Sequence, residues 1–270
     1  MSYFNELGWR QPNSSYRTYS DSKTNYYKLN EFINQPQKIL EESKKYFPSL
    51  KDIDSTLFEK NLEELTKRIE SNKDYKPILK SKYYPFIIPI NSKKIDIGEQ
   101  LEKELLPLVE RSFTNEFPDC HFKITIQNNL SLQERITISK ISRYENLVKT
   151  NNKHVICGFY FPEALIGYDI PSQKKQMADL PEFDGICISG ALDVCSALIG
   201  NPQMLIHKET YSPMLCLTAL EHQDRRITCL FKSYGPHLEF WGLGNQLLPG
   251  IDQVSEQWSG GLTFYQAMAK

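Results

Sequence analysis

Between residues 58 and 69 the apolar positions are Phe58, Leu62, Leu65 and Ile69, with polar side chains filling most of the gaps. That i, i+4, i+7, i+11 spacing draws one stripe on a 3.6-residue period and predicts a helix. Asp54 or Ser55 stands where a cap belongs, and Glu63–Lys67 and Glu64–Arg68 lie one turn apart on the polar face. A shorter helix is expected from Pro36, a residue tolerated in an opening turn, to about Tyr46. Two narrow stripes make a layer that must rest on something else.

Tyr83 to Ile90 reads as a short strand bounded by prolines, suited to a sheet edge. Asp96-Ile-Gly-Glu99 fits a capping box ahead of Ile97, Leu101, Leu105 and Val109, while Pro107 inside that period predicts a kink or an early stop. His121 to Ile126 alternates with period two, the pattern of a half-buried strand. Two readings compete for the next stretch. Asn128-Asn129 could turn a hairpin, or Ser131-x-x-Glu134 could cap a helix over 132–148 carrying Ile138, Ile141 and Tyr144; the helix is favoured.

From residue 154 the pattern turns strand-rich. His154 to Phe161, stopped by Pro162, reads as an interior strand, and Tyr168 to Phe183 as a loop with at most a helical turn. Gly185 to Ser189 is a short strand and Ala191 to Ile199 a short helix closed by Gly200. Met214–Leu220 and Arg226–Phe231 flank a polar turn as a hairpin, and Leu238 to Gly242 supplies a third strand. Beyond Gly244 the chain is Gly- and Gln-rich, with Trp258, Phe264 and Tyr265 as late aromatic anchors. The expected fold is α+β: a mixed sheet over residues ~84–243 with flanking helices, and an N-terminal helical segment preceded by an extended aromatic arm. The boundaries are an arm at 1–27, a helical segment at 28–82 and a core domain at 83–270, with 28–270 as the alternative single domain.

Composition sharpens the ends. Residues 2–27 hold seven aromatics but one aliphatic, Leu7. Such a segment lacks the branched side chains that build a core, so its rings must lie on a surface made elsewhere, in this chain or in a partner. Docking on the chain's own helical layer around Phe58 to Ile69 is the slightly favoured reading. The interaction candidates are Tyr3, Phe4, Trp9, Tyr16 and Tyr19 in the arm, and Trp241 and Trp258 in the tail.

Charge excludes little. Fifteen Lys and Arg stand against twelve Asp and Glu over residues 1–82, and eight against twelve over 151–270, for a net −1 in 270 residues. Lys and Tyr interleave over 73–84, the pattern of a weak nucleic-acid binder, but acidic neighbours and the small surplus disfavour it. No apolar run approaches the ~20 residues of a membrane span, and the opening Met1-Ser-Tyr-Phe-Asn-Glu lacks the basic start and apolar run of a secretory signal. The six cysteines mostly sit inside apolar runs without C-x-x-C spacing, as reduced core residues of a cytoplasmic protein would.

One stretch raises catalysis. In Gly185-Ile-Cys187-Ile-Ser189-Gly190 a strand delivers Cys187 or Ser189 to the start of a helix, where backbone N–H groups could hold an oxyanion. His207, His222 or His237 would serve as base and Asp193 or Asp224 would orient it, giving a small thiol- or serine-dependent hydrolase or transferase. Against this, Cys187 lies between two isoleucines, and Ser189 occupies the place of the closing glycine of a nucleophile elbow and also suits an ordinary N-cap. Gly242-Leu-Gly244 lacks the third glycine of a dinucleotide turn and reads as a turn after the last strand. Neither a metal nor a cofactor is expected. The reading preferred on sequence is a non-catalytic protein-binding adaptor or assembly subunit of a cytoplasmic complex.

Overall fold

A computed structural model describes residues 2–11, 27, 29–30, 35–92, 95–206, 211–235, 237–244, 255 and 257–269. Helix α1 (Pro36–Tyr46) starts at its proline and ends with Lys44 and Lys45 in the last turn, where cations oppose the negative helix end. Helix α2 (Ser55–Ser71) is capped by Asp54, whose carboxylate accepts from the N–H of Thr56 at 2.7 Å and Leu57 at 3.2 Å. Its stripe of Phe58, Leu62, Leu65 and Ile69 is buried. Arg68 departs from the expected pairing with Glu64. It donates to the carbonyl of Asp184 at 2.8 Å and to Gln266 at 3.2 Å, and lies over the Phe183 ring, tethering α2 to the sheet.

Asp96 caps α3 (Ile97–Gln100) through the Glu99 N–H. A π turn over Leu101–Leu105 follows, and α4 (Leu106–Glu116) continues from it. Of the kink or early stop expected at Pro107, the stop does not occur, and the irregularity takes the form of the π turn. Proline has no N–H to give to the preceding turn and its ring crowds a carbonyl there; the wider π turn accommodates both and the helix runs on.

The main sheet runs in the order β1 (Tyr84–Ile88), β4 (Ile156–Ile166), β10 (Trp258–Ala267), β6 (Met214–Cys216), β8 (Ile227–Tyr234), β9 (His237–Gly244) and β2 (His121–Ile126), with β5 (Ile186–Ile188) also on β10. The pairs β10–β6 and β2–β9 are parallel and the others antiparallel, so the sheet is mixed and the fold is α+β. Strands β3 (Ile136–Ile138) and β7 (Leu220–His222) form a separate antiparallel pair. A short helix, α6 (Ile170–Lys175), stands in the stretch expected as a loop with at most a helical turn, and helix α7 (Ala191–Gly200), buried along its whole length, lies against β1, α1 and α4. One hydrophobic cluster extends from Phe4 to Met268 and includes the α1 and α2 stripes.

Several expectations need correction. The sheet does not end near residue 243: the aromatic tail supplies β10, an interior strand bonded to β4, β5 and β6. Its Gly260 and Gly261 mark close packing rather than a turn. A Cβ on Gly260 would lie 2.2 Å from the Gln173 side chain, and one on Gly261 2.2 Å from the Tyr160 ring. Strand β4 runs through Pro162 to Ile166, because the register against β10 shifts there and the proline sits where no ladder bond is required. The predicted hairpin splits: β6 pairs with β8, but Leu220–His222 leaves to join β3. Gly242 and Gly244 lie within β9, not in a turn after it.

The helix expected over 132–148 is replaced by β3 and a later helix, α5 (Tyr144–Asn151). Glu102 accepts from Ser131 Oγ and Leu132 N, both at 2.7 Å, and Asp96 accepts from Glu134 N at 3.1 Å. These carboxylates hold the segment in a turn in which Glu134 has φ 61°. A distant element captures the N–H groups that a local helix start would have offered.

Candidate functional site

The nucleophile candidates are sealed. Cys187, in the middle of β5, has no exposed surface, and burial pushes its thiol well up. Ser189 is equally buried; its hydroxyl lies 2.8 Å from Thr263 Oγ1. It is not the helix cap either, since Gly190 holds that position and its N–H donates to Asp193. Asp193 orients no base: its carboxylate accepts from Gly190 N and Tyr144 Oη, both at 2.9 Å, and from Thr263 Oγ1. His222 Nδ1 accepts from the Asp224 N–H at 2.9 Å, and burial pulls the imidazole's proton affinity down. Asp224 is gripped by Arg226 at 2.9 and 2.6 Å, which holds its carboxyl well below the usual range. His237 stacks on His121, with ring centres 5.2 Å apart and planes 19° apart. His207 lies outside the described residues. Among the described residues no hydrogen bond joins an imidazole to Cys187 or Ser189, so none of these histidines completes the elbow.

The arm residues that are described turn toward the chain itself, and Phe4 belongs to the same buried cluster as the α2 stripe. Phe4 is buried with its ring 6.0 Å from that of Tyr75, and Tyr3 is half-buried beneath the Arg10 guanidinium. Half-buried Trp9 donates to Glu163, whose carboxyl is raised by burial. Arg10 N donates to the Ala164 carbonyl at 2.8 Å, and Tyr168 Oη to the Arg10 carbonyl at 3.0 Å. Tyr16 and Tyr19 lie outside the described residues. Trp258 is 1% exposed within β10. In the Lys/Tyr stretch, Tyr75 and Tyr84 are buried and donate to the carbonyls of Pro181 and Asn30.

A cleft of about 610 Å³ opens between α5, residues 182–186 and the end of β10. Arg143, its most strongly charged donor, is already engaged by the carbonyls of Met177, Leu180 and Pro181 at 3.1–3.2 Å. It acts as a brace.

Trp241, the other tail candidate, is part-buried, packed against the small cluster of Ile170, Cys216, Leu230 and Trp258. Strand β9 carries Leu238 and Phe240 toward the core and His237, Glu239 and Trp241 to the opposite face. The parallel register sets His121, Lys123 and Thr125 of β2 beside them, and Lys232 of β8 lies across from Glu239. Lys232 Nζ stands 3.6 Å from the Trp241 ring centre and 3.5 Å from Glu239, which also accepts the indole N–H at 2.5 Å. Desolvation lowers the lysine's proton affinity although Glu239 opposes it. A cation held against an indole in this way contributes about 1–2 kcal/mol and fixes the ring.

Strand β2 ends the sheet. Among the described residues nothing pairs with its outer side, and Ile124, on the same face as Phe122 and Ile126, is 39% exposed. An unpaired row of N–H and C=O groups beside an exposed apolar residue and a fixed aromatic face can accept another strand. The sequence showed β2 as a half-buried strand, but edge position depends on sheet order, which no local pattern encodes. No family model matches this chain, and neither a curated protein nor a solved structure matches it.

Proposed function

We propose that this chain is a protein-binding component, an adaptor or assembly subunit, that receives an extended segment of its partner along β2. The outer side of β2, which no strand among the described residues pairs with, carries the reading. Its alternating sequence offers Phe122, Ile124 and Ile126 on one face and His121, Lys123 and Thr125 on the other, so main-chain bonds would supply affinity and alternate side chains selectivity. Trp241 and Glu239 lie one strand inward on β9, with Lys232 beyond them on β8, and form a fixed patch on the face shared by Lys123 and Thr125. The thiol or serine hydrolase reading loses its support because Cys187 and Ser189 are enclosed. No helix among the described residues is long and apolar enough to cross a membrane.

Peptides selected by display against the full-length chain test this. Binders are expected to slow amide exchange across 121–126 and to lose affinity at least tenfold when Ile124 is replaced by lysine. Binders that leave those amides unprotected, and that hold the Ile124→Lys variant as tightly as the parent, would sink the proposal.

A further inference from the structure

The alternating sequence of β2 can pair with its own copy, and we infer that a second copy of this chain docks there, antiparallel, about a two-fold axis at Ile124. The inference rests on the strand-addition reading and adds the identity of the incoming strand.

The geometry leaves few choices. Directly opposed residues in an antiparallel pair point to the same face, so a two-fold axis normal to the sheet must set one residue opposite its own copy. Over 121–126 the registers that pair the most residues are centred on Lys123 or on Ile124. Centring on Lys123 places two ammonium-bearing side chains face to face, which is destabilising. Centring on Ile124 places Ile124 against Ile124, Phe122 against Ile126 and Lys123 against Thr125.

That register covers the isoleucine that β2 leaves 39% exposed, and it continues the apolar row of Phe122, Ile124 and Ile126 from one copy into the next. Lys123 therefore selects the register rather than blocking the edge. Asn128 and Asn129, both with positive φ, turn the chain away beyond the strand and limit sliding in that direction. The contact is a short ladder, small beside the ~1,600 Å² of a standard interface, so the dimer is weak and concentration-dependent.

Sedimentation velocity on the full-length chain from about 1 µM to about 1 mM spans the weak-affinity range. The parent is expected to pass from monomer to dimer there, while Ile124→Lys, altering an already exposed side chain, stays monomeric with an unchanged circular dichroism spectrum. Disulfide trapping fixes the register. Cys120 is partly exposed beside the strand and is first replaced by serine. In that background Ile124→Cys should link into dimers under mild oxidation several times faster than Lys123→Cys. A parent that remains monomeric, a dimer indifferent to Ile124→Lys, or faster linking through position 123 overturns the inference. Slowed exchange at 121–126 by selected peptides would show in any of these cases that the edge still accepts a foreign strand.

Discussion

At the first turn of α7 the side chain of Asp193 is out of contact with solvent, and three donors converge on it from Gly190, Tyr144 and Thr263. Those hydrogen bonds favour the ionised form, but desolvation outweighs them and pushes the carboxyl up from its ordinary 3.8 to about 6. The folded chain thus holds this proton between pH 4 and 6, where the unfolded chain has released it. The stabilisation is complete below about pH 4 and is lost as the pH rises through 6, a swing of about 3 kcal/mol. Urea unfolding of the parent and of Asp193→Asn across pH 3–8 should show the parent losing stability relative to the variant mainly between pH 4 and 6, with little further change above pH 7. Parallel profiles would contradict the assignment. Tyr144 and Thr263 lie 49 and 70 positions from Asp193, so no local pattern could have announced this cluster. The sequence offered Asp193 only as a possible partner for a histidine.

Single carboxylates also join elements. Asp96 Oδ1 accepts from Glu99 N at 2.9 Å, capping α3, and from Glu134 N at 3.1 Å, pinning the turn before β3. The cap was legible because its acceptor and donor are three residues apart; the second bond spans 38 positions and was not. It is also why Ser131-x-x-Glu134, a sound helix start taken alone, became a turn. Asp96→Ala should cost about 1 kcal/mol for the cap. Hydrogen exchange should quicken at Glu99 and Glu134 together; a change confined to α3 would mean that the turn is held by Glu102 alone. The π turn at Leu101–Leu105 belongs to the same scale. Pro107 signalled a disturbance, but whether a helix stops or widens is decided by packing, and here Leu101, Leu105, Leu106 and Val109 all remain buried.

Across the whole molecule, the helices α1, α2 and α7 and the strands β1, β5 and β9 were legible because each carries its own period or punctuation. Strand β10 was hidden by Gly260 and Gly261, which fit against Gln173 and Tyr160 from elsewhere in the chain. The same limit applies to the sheet edge: β2 could be recognised as a strand, while its outermost place could not. A chain shortened to end at residue 255 is expected to lose the cooperative thermal transition and to precipitate, since β4, β5 and β6 would all lose a neighbour. Retention of a sharp transition with native-like circular dichroism would show that the sheet closes without β10. The position of that strand also bears on synthesis. Residues 258–267 leave the ribosome after every other strand of the sheet, yet β4 and β6 meet only through them. Until they emerge, both halves carry an unzipped apolar margin, and the nascent chain must be shielded from its neighbours on the polysome.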